Sequence, residues 1–152
     1  MNGRAHLILA VPIYVLAVRY LSDASTILLS PFLALYCILT MVGSLFPDVD
    51  WVVAERVPGF GHRNPLTHSL LVPLALHAIM GYYKVSDPIS VACFDAFTLG
   101  VAAHLLGDLV KTGNLVWIKS RRYENKWYVV NGFAVIILLY FSGFFAVSQL
   151  RL

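Results

Sequence analysis

The stretch ISVACFDAFTLGVAAHLLGD, Ile89–Asp108, decides how this chain is read. Ile89 to Leu106 is an apolar run of bilayer-crossing length, interrupted by one acid, Asp95. In a bilayer every backbone amide needs an internal partner, so such a run must be a helix. At its far end His104 and Asp108 stand at i and i+4, about 40° apart around the axis, and both can reach one ion. A span that ends on a metal-ligand pair sets two questions. They are how many such spans the chain has, and what else arrives at the same end.

Composition answers the first. The 152 residues are 59% hydrophobic and only 12% charged, where soluble domains carry about a quarter charged residues. That is membrane-protein composition, and the length leaves no room for a large soluble domain. Four further apolar segments are bounded by polar punctuation: Leu7 to Leu21, Thr26 to Phe46, Leu66 to Tyr83 and Trp127 to Gln149. The expected fold is all-α, a polytopic membrane helix bundle of about five transmembrane helices, forming one integral membrane domain over residues 1–152. Leu109 to Ile118, broken by Lys111, Thr112, Gly113 and Asn114, reads as an interfacial or re-entrant segment, with a sixth span as the alternative. The run after Arg4 continues past Pro12 to Arg19 without a small-x-small cleavage site, so it reads as a retained span.

With the N-terminus cytoplasmic, Arg4, Arg56, Arg63, Lys111, Lys119, Arg121, Arg122 and Lys126 fall inside, and Arg19, Lys84 and Arg151 outside. This asymmetry supports a multi-pass protein of the cell membrane in that orientation. The net charge of +3 therefore sets topology and does not indicate nucleic acid. Trp51, Tyr82, Tyr83, Trp117, Tyr123, Trp127 and Tyr128 suit the membrane interface. Cys37 and Cys93 lie in apolar runs and match no disulfide or CxxC pattern.

The second question is answered by the polar residues. His6 opens the first helix, Asp48 and Asp50 close the second, His62 and His68 open the third, and His104 and Asp108 close the fourth. Helices alternate in direction, so all seven meet at one membrane face, the cytoplasmic one. Taken singly, each motif has an ordinary helix-end reading beside the functional one: DVD as an acidic loop, HRNPLTHS as a polar loop with Thr67 or Ser69 capping a helix, HLLGD as a helix end with a satisfied histidine. Their convergence points to a shared task. Imidazoles with carboxylates are what zinc, manganese or iron would bind, zinc being the first expectation and manganese the next, and seven donors exceed the needs of one ion. Two ions about 3.5 to 4 Å apart are the usual clamp for in-line attack on a phosphate ester. One to three ions are expected. In FPDVD, Pro47 is expected to end the helix and start an extended stretch whose two carboxylates point to one side. Asp50 is the candidate proton-moving group if it is not a ligand, and Arg63 the candidate clamp on phosphate. His77 and Asp95 lie at similar depth in their spans. Each is nine residues from a proposed ligand, about 180° around its helix, so a structural hydrogen bond between them is expected, with a proton relay as the rival.

An early His in the first helix, GSLFPDVD, HRNPLTHSL and GVAAHLLGD together resemble the YdjM-type membrane-bound metal-dependent hydrolases over about Met1 to Ile118. The resemblance implies that His6, Asp48, Asp50, His62, His68, His104 and Asp108 carry the metal, with Arg63 and Thr67 beside it. More distantly, the HxxxD pair is similar to zinc-dependent phospholipase C and P1-type nucleases. The expected activity is hydrolysis of a phosphoester in a membrane lipid or isoprenoid phosphate. The alternative is a non-enzymatic metal protein: a transporter, a sensor or a structural subunit. Gly100, Ala102 and Ala103 are candidate close-packing residues for a homodimer.

Overall fold

The computed structural model describes residues 3–21, 32–58, 60–61, 63–109 and 121–142. All regular structure among them is helical: α1 (Gly3–Leu21), α2 (Leu33–Leu45), a 3-10 turn (Phe46–Val49), α3 (Asp50–Ala54), α4 (Leu71–Tyr82), α5 (Pro88–Asp108) and α6 (Arg121–Ser142). Among the described residues two helical rods are long and apolar enough to cross a membrane, Leu33–Ala54 and Pro88–Asp108. Arg4–Ala17 and Leu71–Tyr82 are apolar but shorter. α6 begins with the charged sequence RRYENK. Parts of the second and fifth expected spans, Thr26–Pro31 and Gly143–Gln149, lie outside the described residues, as does most of the segment considered for a sixth span.

α5 is the central post, and α1, α2, α4 and α6 all pack against it. Its start is well specified: Pro88 occupies the first turn, where no N–H is needed, and the exposed Asp87 carboxylate accepts the Ser90 N–H at 2.8 Å. That bond holds the Asp87 carboxyl below the usual carboxylate range. The C-terminal half of α5 is buried on all sides, from Thr98 through Leu105. Small residues make this possible. A Cβ on Gly100 would collide with the Thr40 carbonyl oxygen and sit 2.7 Å from Ser44 N, and one on Gly43 would collide with the Phe97 carbonyl. The α2 and α5 backbones therefore touch, which only glycine allows. Ala102 and Ala103 are buried in the same bundle. These three small residues of α5, expected at a contact between copies, are spent on packing within the chain.

Two local expectations are corrected. Pro47 does not introduce an extended stretch. It sits in the first turn of the 3-10 segment, where its fixed φ suits a helical start, and the chain runs on through Asp50 into α3. The third apolar segment becomes helical at Leu71, not Leu66. Residues Asn64 to Leu70 form turns, because Asn64 and Ser69 draw nearby amides into side-chain bonds, Leu66 N–H to Asn64 Oδ1 (2.9 Å) and Leu71 N–H to Ser69 Oγ (3.2 Å). Trp51, Tyr82, Tyr83 and Tyr123 are exposed, in keeping with an interfacial role, but Tyr128 is fully buried.

Candidate metal centre

The turn after α3 is built on Asn64. Its side-chain N–H donates to Phe60 O (2.9 Å), its Oδ1 accepts from Leu66 N–H, and its carbonyl accepts from Thr67 N–H (3.1 Å) and His68 N–H (2.9 Å). Its own N–H donates to Asp50 Oδ2 at 2.8 Å, which ties the turn to the start of α3. Gly61 and Arg63 flank this knot in the left-handed region, at φ 60° and 64°. For Arg63 that conformation costs roughly 1 kcal/mol, which the surrounding bonds offset. The reward is placement: the Arg63 guanidinium Nη1 lies 3.6 Å from Asp108 Oδ2.

Around this turn, the structure gathers six of the seven expected donors at one end of the bundle; the seventh, His62, lies outside the described residues. Asp108 Oδ1 is 3.3 Å from His6 Nε2. Asp108 Oδ2 is 3.5 Å from His104 Nε2 and 3.8 Å from His68 Nε2. Asp48 Oδ1 is 3.8 Å from His68 Nε2 and 3.9 Å from His104 Nε2. The His6 ring stacks on that of His104 with centroids 3.8 Å apart, and His68 meets His104 edge to face at 5.1 Å. His6, His68 and His104 are fully buried. The Asp48 side chain is 24% exposed and that of Arg63 12%, so the cluster opens on their side.

The hydrogen bonds fix which way the imidazoles face. His104 Nδ1 donates to the Ser44 carbonyl at 2.7 Å, because a carbonyl oxygen can only accept. In the neutral ring, Nε2 then carries a lone pair, and that lone pair points at two carboxylate oxygens. Such an arrangement is repulsive unless a proton on Nε2 or a metal cation lies between them. His104 Nε2 and His6 Nε2 are both buried and make no hydrogen bond of good geometry among the described residues. His68 repeats the pattern. Its Nδ1 faces Asp50 Oδ2 at 3.3 Å and Thr67 Oγ1 at 3.2 Å, which turns Nε2 toward the oxygens that His104 addresses. A ligating histidine typically gives its other ring N–H to a carbonyl or carboxylate, as these two do. Donors about 2.1 Å from a tetrahedral ion stand roughly 3.4 Å apart, close to the separations seen here.

Two sets of three therefore could hold a metal ion: His6, Asp48 and His104, and His68, His104 and Asp108. Within each set the ligand atoms lie within 4.8 Å of one another. Asp50 stands behind His68, and its Oδ2 also accepts from the Thr67 hydroxyl at 2.9 Å. Asp48 and Asp50 thus flank the His68 ring from opposite sides, as a helical turn separates residues two apart.

The structure adds a wall that the sequence reading did not assign. One face of α6 presents Glu124, Trp127, Tyr128 and Asn131 at helical spacing to the site and its loop. Trp127 Nε1 donates to His68 O at 2.7 Å, and Asn131 Oδ1 accepts from Leu70 N–H at 3.0 Å. The Tyr128 ring lies edge to face with His68, centroids 6.4 Å apart. Glu124 is buried one turn before Tyr128. The i, i+3, i+4, i+7 pattern was visible, but charged and aromatic residues at a span's start are also how an interface reads. His77 and Asp95 stand apart from the centre and bond each other as expected, Nε2 to Oδ1 at 3.1 Å, while His77 Nδ1 donates to Pro73 O at 2.8 Å.

A family model described as YdjM inner membrane protein matches residues 1–144. The match extends beyond Ile118, where the sequence motifs end, and takes in all of α6. No curated protein and no solved structure matches the chain.

Proposed function

The chain belongs to the YdjM inner membrane protein family, and from that premise we propose that it is a metal-dependent hydrolase that cleaves a phosphoester of a membrane lipid. The observation that carries this reading is the orientation of His104, whose Nδ1 is committed to Ser44 O while Nε2 faces Asp108 and Asp48. His6, Asp48, His68, His104 and Asp108 would hold the ion, and His62 remains a proposed ligand. A donor set rich in imidazole favours zinc, with manganese second. Two ligand sets sharing His104 are consistent with more than one ion.

Bound there, the metal would supply Lewis-acid activation of water and stabilise charge on the phosphoryl oxygens. The protein's own groups do the rest. Arg63, on the open side, would hold a phosphoryl oxygen by paired, charge-assisted hydrogen bonds. Asp50 would orient His68 through Nδ1, a role its three close contacts favour over direct ligation; it is also the group best placed to take a proton if Thr67 passes one on. Asp48 and Arg63 leave an entrance, which suits a catalytic site better than a closed structural one. The protein would be multi-pass, with the centre at the cytoplasmic face, so that a lipid headgroup reaches it without leaving the membrane. Metal transport is a poorer fit, since the mid-membrane donors His77 and Asp95 are bonded to each other.

The test is metal content per chain in detergent-purified wild type and in a His104→Ala, Asp108→Ala variant, alongside phosphate release from lipid phosphates. The expected result is one to two zinc ions in the wild type, lost from a variant that keeps its helical circular dichroism, together with loss of turnover. Wild type that takes up no zinc or manganese after reconstitution would sink the metal centre. A metal-loaded wild type with no turnover would leave a non-enzymatic metal protein.

A further inference from the structure

The hydroxyl of Tyr128 is fully buried, and it makes no hydrogen bond of good geometry among the described residues. A buried donor left unused costs free energy, and native structures seldom carry one without a reason. Its ring cannot swing away to water. It is fixed in the α5–α6 core with Val101, Leu105 and Val135, and it abuts the His68 ring. The hydroxyl lies at the edge of the metal centre, where the Arg63 guanidinium approaches its oxygen as a donor and the Asp108 and Glu124 carboxylates also act on it. Arg63 itself lies 3.6 Å from Asp108, at the side of the cluster that opens outward.

We propose that Tyr128 and Arg63 together form an oxyanion subsite, in which the Tyr128 hydroxyl donates a hydrogen bond to a phosphoryl oxygen of the group held at the metal centre. The inference rests on the proposed phosphoester reading. Phenol and guanidinium are both donors, and what two converging donors beside a cation site recognise is an acceptor-only group such as phosphate. The metal ligands would take other oxygens of the same tetrahedral group, so the two kinds of contact do not compete. α6 then serves to close the site with a hydrogen-bond donor as well as to hold the His68 loop.

The test uses the full chain in detergent, loaded with zinc. Its metal content is fixed by elemental analysis, and inorganic phosphate and dihexanoyl phosphatidic acid are titrated by calorimetry. Tyr128→Phe removes the hydroxyl and keeps the ring that packs on His68, and Tyr123→Phe, on an exposed residue, is the control. The expected result is unchanged zinc in both variants and about tenfold or more weaker binding of both phosphate and phosphatidic acid to Tyr128→Phe alone, the scale of one hydrogen bond to a charged group. Equal affinity in Tyr128→Phe and wild type would overturn the subsite while leaving the hydrolase reading intact. Loss of zinc from Tyr128→Phe would overturn it in favour of a ligand-positioning role, and an effect on phosphatidic acid alone would move the contact away from the phosphoryl group. Zinc-loaded wild type that binds neither probe would overturn the phosphoester reading and the subsite with it.

Discussion

Asp50 and His104 show how a single residue's worth depends on what lies behind it. His104 is aimed by a backbone carbonyl, but His68 depends on the charge of Asp50, which is also tied to Asn64 N–H and Thr67 Oγ1. Asp50→Asn keeps the side chain's shape and one acceptor for Asn64 and Thr67, while removing the negative charge that faces His68 Nδ1. The expected outcome is a folded protein whose zinc affinity falls about 10- to 100-fold, the usual range for losing such a supporting partner. Competition against a chromophoric chelator measures it; unchanged affinity would reduce Asp50 to an anchor for the loop. At this scale the candidate residues were legible in the sequence, because His and Asp are scarce and fall at helix ends. Their division of labour was not. Whether an aspartate binds an ion or holds a histidine depends on which ring nitrogen it meets, and that is decided by the turn at Asn64.

At the scale of elements, the contact between α2 and α5 does the most to position the centre. Gly43 and Gly100 bring the backbones together, and Ser44, beside Gly43, is the residue whose carbonyl holds His104. A methyl at Gly100 must move the Thr40 carbonyl, which is backbone and cannot rotate away. Gly100→Ala is therefore expected to destabilise by at least the 1–3 kcal/mol typical of overpacking, and to lower bound zinc by pulling Ser44 O from His104 Nδ1. Gly81→Ala, in α4 with nothing within 4 Å of the added carbon, should be neutral or stabilising by about 0.5–1 kcal/mol. Thermal melts by circular dichroism and metal content compare the two; similar melting for both would mean that the α2–α5 contact yields freely. The sequence showed small residues in α5 but not what they meet, since a Gly-Ala stripe suits another copy as well as a neighbouring helix. Tyr128 was missed for a similar reason: an aromatic near a helix end reads as an interface residue until a partner element is known to cover it.

For the whole molecule, what was legible was convergence. Polar residues at successive helix ends in a chain otherwise 59% hydrophobic leave few ways to be buried together except around a shared charge. The bundle carries that logic into its stability. Asp48 and Asp108 come from separate segments, and the carboxylate oxygens face ring nitrogens of three histidines from α1, the His68 loop and α5. Arg63 offers one positive charge beside them. A divalent ion at their centre would bond carboxylates and imidazole lone pairs together and so hold these helix ends, whereas stripping it would leave them opposed in a buried site or oblige the imidazoles to take up protons. Chelator treatment of purified protein is therefore expected to lower the melting temperature, and added zinc to restore it. Free zinc at 100 times its dissociation constant stabilises by about 2.7 kcal/mol, roughly 5 to 10 °C for a chain of this size. The His104→Ala, Asp108→Ala variant should melt at one temperature with or without zinc. A wild type that is equally indifferent, across chelator and zinc, would mean that the helix ends are held by packing alone and that the cluster contributes no exchangeable ion to the fold.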